Sequence, residues 1–165
     1  MPRVFAYGSL MGDAVLARYH ARPARLAGYH RAFLHESLRR WGQPGSPCPI
    51  LGLSPGGECW GLVFDVPASD RVRVMRALEK REAASERRRE THTVETPDGP
   101  LPAVVWVSRS ANGNGSDGSS LEARLRTAHG VVGTGPEYVR GLVHAMELHG
   151  IRDSLIDTLW ERLQG

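Results

Sequence analysis

An α+β fold built on a curved, barrel-like sheet is what three features of the chain predict. Short apolar runs fill the first two-thirds and are punctuated by glycine, proline and Asp-Gly turn signals, which mark strands. Glycines recur within those runs, where they permit the tight bends that a closing sheet needs. The last third instead places apolar residues at helical spacing behind good capping residues. At 165 residues the chain is most simply one domain, residues 1–165, long enough to bury a core without disulfides or metals.

Val4-Phe5-Ala6-Tyr7-Gly8-Ser9-Leu10 opens the chain as a short strand that runs into a glycine and then a hydroxyl. Gly8 is expected to adopt backbone angles closed to a Cβ and to let a ligand approach the main chain. The N–H groups after it would then serve an anion or a carbonyl oxygen. Asp13 is expected to cap a short helix carrying Val15, Leu16 and Tyr19, which Pro23 ends. Ala24 to Glu36 reads as an extended piece kinked near Gly28, and Arg39-Arg40-Trp41-Gly42 leads into a Pro/Gly-rich loop through Pro49. Ile50 to Leu53 and Cys59 to Val66 read as a hairpin joined by Ser54-Pro55-Gly56-Gly57.

Pro67-Ala68-Ser69 starts a helix that should run to about Glu82, with Val72, Met75 and Leu78 at helical spacing. The Arg/Glu-rich stretch that follows, with Glu86, Arg87, Arg88 and Arg89, reads as a solvated helix end. Thr91 to Thr96 and Leu101 to Val107 form a second hairpin about the Pro97-Asp98-Gly99-Pro100 turn, and Ala111 to Ser120 reads as a mobile loop. Ser120 can cap a helix from Leu121 to His129. Glu137 to His149 carries Val139, Leu142, Val143 and Met146 on one stripe, and Asp153 caps a last helix with Leu155, Leu159, Trp160 and Leu163 inward.

Bulk properties narrow the function. The net charge of +3, from 21 Lys+Arg against 18 Asp+Glu, is a small surplus, and the arginine run from Arg87 to Arg89 lacks interleaved aromatics, so no nucleic-acid partner is expected. No run of eighteen apolar residues and no secretory pattern is present, so a soluble, cytoplasmic protein without a membrane partner is expected. Cys48 and Cys59 lack zinc spacing and read as buried or free thiols. The seven histidines form no ligand pair, so no metal is expected. Nothing in the pattern specifies an oligomeric state.

Ser9 sits in no nucleophile elbow and reads as a hydrogen-bonding residue. Among the carboxylates, Glu82 follows an apolar stripe beside small Ala83 and Ala84, where partial desolvation would suit it to general-base work. Glu79, one turn earlier, is its rival, and on pattern alone either can be a surface residue.

Five stretches then occur in a specific order: Tyr7-Gly8-Ser9-Leu10; Arg25 to Phe33; Gly52-Leu53 with Gly57-Glu58-Cys59-Trp60-Gly61; Leu78 to Glu82; and Gly135-Pro136-Glu137-Tyr138-Val139. With the Gly150-Ile151-Arg152-Asp153 tail, the chain resembles the ChaC-type gamma-glutamylcyclotransferases over nearly its whole length. The resemblance implies a small closed or partly open mixed β-barrel flanked by helices. It also implies cofactor-free cyclisation of a gamma-glutamyl amide, such as glutathione, to 5-oxoproline with release of the amine, cysteinylglycine in that case. By that likeness Tyr7, Gly8, Ser9 and Leu10 hold the gamma-glutamyl group, Glu82 is the acid/base and Tyr138 helps close the pocket. Arg39 or Arg40 would meet a terminal carboxylate of the substrate. The chain departs from the family at Arg40-Trp41-Gly42, where His-Arg-Gly is usual, and at Ala84-Ser85-Glu86, where Gly-Gly-Tyr is frequent. Those departures leave open another gamma-glutamyl amine as substrate, or a protein that binds gamma-glutamyl metabolites without turnover.

Overall fold

Five strands close into a barrel in the order β1-β3-β2-β4-β5 in the computed structural model, which describes residues 2–82, 87–108 and 120–165. The strands are β1 (Arg3–Ala6), β2 (Ala21–Ser37), β3 (Cys48–Asp65), β4 (Arg87–Thr96) and β5 (Gly99–Ser108). All pairings are antiparallel except β1 with β5, so the sheet is mixed. Four α-helices flank it among the described residues: α1 (Arg71–Glu82), α2 (Leu121–Thr127), α3 (Gly135–Leu148) and α4 (Ser154–Gln164).

Two long strands carry the barrel. β3 is one continuous strand, where the sequence suggests a hairpin at Ser54–Gly57. It stays antiparallel to β2 from Ala21↔Phe64 to Ser37↔Cys48. Gly56 and Gly57 take φ of +100° and +72°, and Gly28 on β2 takes +91° beside the register shift between Ala27 and Tyr29. Glycines on both strands therefore bend the ribbon at one level, and the chain curves without reversing. Pro23 lies inside β2, opposite Leu62, so the strand starts earlier than expected.

Asp13 heads turns and not a helix. Its backbone carbonyl accepts from Leu16 and Ala17, its Oδ1 accepts from the Val15 N–H at 2.8 Å, and Leu16 is fully buried. A 3-10 helix, Ser9–Gly12, precedes it.

On α1 the inward stripe is Val74, Leu78 and Glu82, at i, i+4 and i+8, while Val72 is 69% exposed and Met75 only partly buried. The inward stripe keeps Leu78 of the expected set but runs at i, i+4 spacing, so it carries a carboxylate at its end and drives it inward. Arg87, expected on a solvated helix end, instead opens β4. Ala84, Ser85 and the rest of the 83–86 stretch lie outside the described residues, as do 109–119 of the glycine-rich loop.

The helical third follows its caps. Ser120 Oγ accepts from Ala123 N–H, Thr134 and Glu137 form a reciprocal capping box on α3, and Asp153 Oδ1 accepts from the N–H groups of Leu155 and Ile156. Val139, Leu142, Val143 and Met146 are buried on α3 as expected. On α4 Ile156 and Leu159 are buried, whereas Leu155 faces outward. Both cysteines are free and buried. None of the described helices is long and apolar enough to cross a membrane.

Candidate active site

A cleft of about 240 Å³ opens at one end of the barrel. It gathers residues from the β1 turn, the 38–41 loop, the first half of β3, the end of α1 and the starts of β4 and α3. Tyr7, Gly8, Ser9, Leu10, Arg40, Glu82 and Tyr138 all line it, together with Arg39, Trp41, Arg81, Arg87 and Trp106. Glu79 does not line it. Its carboxylate pairs with Arg89 at 2.9 Å on a half-exposed surface.

Glu82 is 7% exposed, and its Oε2 lies 3.1 Å from Arg87 Nη1. Arg87 also donates from Nη2 to the Leu51 carbonyl. Arg81, the residue before Glu82, pairs with Asp13 and donates to Ser9 Oγ at 2.7 Å. Ser9 is thus engaged as a hydrogen-bond acceptor. Four arginines, against Glu36 and Glu82, bias the lining toward a ligand that carries carboxylates.

Gly8 serves the cleft by access. Its φ is −123° and its ψ −139°, outside the left-handed region. A Cβ there would stand 3.9 Å from Leu51 Cβ, with both residues on the cleft wall, and would take up room in the cleft. The Ser9 and Leu10 N–H groups open the 3-10 helix, where no intrahelical acceptor serves them.

The two tyrosines are fixed through their hydroxyls. Tyr7 donates to the Trp106 carbonyl at 2.6 Å, and Tyr138 accepts the Leu51 N–H at 3.0 Å. Burial pushes Tyr7 up to about 12 and raises Tyr138 as well, so both phenols stay protonated. The Trp41 ring packs on Tyr138 at 5.4 Å. Arg39 and Arg40 are exposed at the rim. Their backbone carbonyls accept from the Val131 and Val132 N–H groups at 2.8 Å each, which ties the 38–41 loop to the turn before α3.

Among the described residues β1 covers the edge of β3 away from β2 only at Leu62–Asp65, and around Leu51 side chains take over that edge's polar groups. Leu51 N–H goes to Tyr138, Leu51 C=O to Arg87, and Leu53 N–H to Ser108 Oγ at 3.3 Å. Ser108 Oγ also lies 2.7 Å from His35 Nε2. Both crowd Gly52, where a Cβ would meet Ser108 Oγ at 2.3 Å and the His35 ring at 2.7 Å.

Burial, and then the Arg87 guanidinium, lowers His35 from 6.5 to about 4. Between those values the unfolded chain binds the extra proton, so stability falls as pH drops through this window and the loss levels off below about 4. Thermal melts from pH 7 to 4 are therefore expected to show a shallower decline for His35→Gln than for the unaltered protein. Parallel declines would contradict this assignment.

Sequence reasoning missed Arg81 and Arg87. The signal for Arg81 was its place beside Glu82. The signal for Arg87 was hidden in a run of like residues. Among the described residues no three His, Cys, Asp or Glu side chains gather at metal-binding distance.

The mixed closed barrel with flanking helices is the fold of the gamma-glutamyl cyclotransferases. The yeast gamma-glutamyl cyclotransferase specific to glutathione superposes with a TM-score of 0.82 at 18% identity, over 99% of this chain and 95% of that one. Another gamma-glutamyl cyclotransferase superposes with a TM-score of 0.61 at 18% identity, over 96% and 85%. The sequence profile described as "ChaC-like protein" matches residues 3–164, and the chain belongs to that family. A glutathione-specific gamma-glutamylcyclotransferase of Escherichia coli strain K12 is 32% identical over 79 residues, 48% of this chain. That match spans 34% of the relative, about a third of its length.

Proposed function

We propose that the protein converts a gamma-glutamyl amide, with glutathione as the leading substrate, to 5-oxoproline and the free amine, cysteinylglycine in that case. One observation carries the reading: a buried carboxylate, Glu82, shares a cleft with a glycine turn and four arginines.

The substrate contains its own nucleophile. Its α-amine can reach its γ-carbonyl in a five-membered closure, and holding the two in attack geometry contributes up to roughly 7–11 kcal/mol. Glu82 takes the proton from the α-ammonium. The freed amine nitrogen bonds to the γ-carbon and sheds a second proton as the C–N bond to the leaving amine breaks; both protons pass, through Glu82, to the leaving nitrogen, which departs as its ammonium while the ring nitrogen keeps one N–H. Backbone N–H groups after Gly8 face the α-carboxylate or the developing oxyanion, and the Arg87 guanidinium adds positive charge beside them. Tyr138 and Trp41 wall the side from which the amine departs. Arg40, at the rim, meets a carboxylate on that amine. No cofactor is needed, and two free thiols accord with a cytoplasmic setting.

The departures at the rim favour one second reading, a different gamma-glutamyl amine as substrate. The test is to incubate the protein with glutathione, gamma-glutamylcysteine and neutral gamma-glutamyl alkylamides and to quantify 5-oxoproline. Carboxylate-bearing peptides are expected to turn over fastest. Arg40→Ala is expected to raise KM for glutathione about tenfold, the loss of one charge-assisted bond. Faster turnover of the neutral amides would move the assignment to the second reading. Binding of these compounds without any 5-oxoproline would overturn catalysis altogether.

A further inference from the structure

Among the described residues Arg31 is the most deeply buried cation on which the proposed reaction makes no demand. It projects from β2 with its side chain 1% exposed. Its Nε donates to the Tyr7 carbonyl at 2.8 Å, its Nη1 donates to Asp153 Oδ2 at 2.9 Å, and its Nη2 lies 3.9 Å from Met11 Sδ. Asp153 divides its two oxygens: Oδ2 holds the guanidinium while Oδ1 caps α4 through the N–H groups of Leu155 and Ile156. One side chain therefore spans from the cap of the last helix to the peptide that leads into Gly8.

We infer that Arg31 and Asp153 are a positioning pair that fixes the Tyr7–Gly8 peptide plane and so aims the backbone N–H groups of the cleft turn. The geometry follows from the peptide itself. A trans peptide is planar, with its C=O and N–H pointing in opposite directions. Holding the Tyr7 oxygen toward Arg31 therefore directs the Gly8 N–H away from it, on a turn whose next residues line the cleft. Stability alone is a weak reason for such a pair, because apolar side chains of similar volume commonly serve a core as well as a buried ion pair does. Placement of both ends is what an apolar pair could not reproduce, since only a donor fork reaches a carbonyl and a carboxylate at once. Arg81 grips the same turn one residue beyond Gly8, through Ser9 Oγ at 2.7 Å. The turn is thus held at two points, and Arg31 sets the orientation of its first peptide. Neither Arg31 nor Asp153 lines the cleft, so both act through the Tyr7–Gly8 peptide.

This inference rests on the cyclisation reading for its kinetic consequence but not for its structural one, and the experiment separates them. Asp153→Asn retains an equally good helix cap while removing the charge that holds Arg31. Arg31→Met fills the space without any donor, and Arg31→Lys restores the charge without the fork. In each folded variant the 1H–15N resonances of Gly8 and Ser9 are expected to move. 5-Oxoproline formation is expected to fall about 10- to 100-fold in kcat with a smaller change in KM, as misplacement of a reacting group produces. The double variant Arg31→Met/Asp153→Asn is expected to be no slower than Arg31→Met, because the two residues act as one unit. Unmoved Gly8 and Ser9 resonances in Arg31→Met would overturn the positioning role, whether or not the unaltered protein turns over. Shifted resonances with unchanged kcat would also overturn it. If the unaltered protein forms no 5-oxoproline, the function proposed above fails, and the resonances alone decide the positioning role.

Discussion

Glu82→Gln is expected to abolish 5-oxoproline release, with a fall in kcat of at least 10²- to 10⁴-fold, the range for loss of a positioned general acid/base. Glutamine keeps the volume of the side chain, and its amide oxygen can still accept from Arg87 Nη1, which sits 3.1 Å from Oε2. The packing of the Val74–Leu78–Glu82 stripe is therefore retained. What is lost is the proton acceptor and the negative charge beside a buried guanidinium. A stability decrease of about 1–3 kcal/mol is expected from weakening that charged hydrogen bond. Thermal melts and a stopped assay at saturating glutathione distinguish the two effects. A folded Glu82→Gln protein with undiminished turnover would eliminate Glu82 as the acid/base. Glu79→Gln, on the half-exposed surface, is the matching control.

Arg87→Met is expected to have the largest effect on the fold. Arg87 links Glu82, on α1, to the Leu51 carbonyl, on β3, from the first residue of β4. Breaking a buried pair from one side costs about 3–5 kcal/mol, because the remaining charge keeps its desolvation penalty. For a chain of this size that corresponds to a fall in melting temperature on the order of 10 °C. Turnover should fall a further 10²-fold or more if the guanidinium stabilises the oxyanion as proposed. Arg88→Ala and Arg89→Ala, whose side chains are about half exposed, are expected to shift stability by no more than about 0.5 kcal/mol. Equal melting temperatures for all three substitutions would mean that Arg87 is one more solvated arginine, as its sequence context suggests.

That contrast shows where a single sequence was legible. The barrel class, the second hairpin and the capped helical third followed from turn chemistry, period and capping, all of which act within a few residues. The order of short stretches brought Tyr7 to Leu10, Glu82 and Tyr138 together before any geometry, an expected terminal carboxylate on the substrate added Arg40, and all of them line one cleft. Arg87 was not legible, because Arg87, Arg88 and Arg89 are chemically alike and only the start of β4 turns one of them inward. Of the expected helix stripe Val72, Met75 and Leu78, only Leu78 is on the buried face. Counting from Glu82 backward through Leu78 to Val74 would have shown that the carboxylate belongs to the apolar face. The Ser54–Gly57 stretch has the composition of a reversing turn. Its actual course depends on β2, where Gly28 bends in step with it, and no local rule can see partner residues 24 or more positions away. Asp13 likewise accepts the Val15 N–H as its type suggests, but its carboxylate is also paired to Arg81, and the segment turns without becoming the helix it was expected to cap.

The open edge of β3 carries a last consequence. A seam of the barrel is stitched by Tyr138, Arg87 and Ser108, contributed by a helix and two other strands, and two of those three stitches also wall the cleft. Architecture and chemistry therefore share the same atoms here. Descendants of this chain can change their diet by redrafting the side chains of the outer lip at Leu38 to Arg40, whose ties to Val131 and Val132 run through backbone carbonyls, whereas tinkering at the inner wall unpicks the vessel itself.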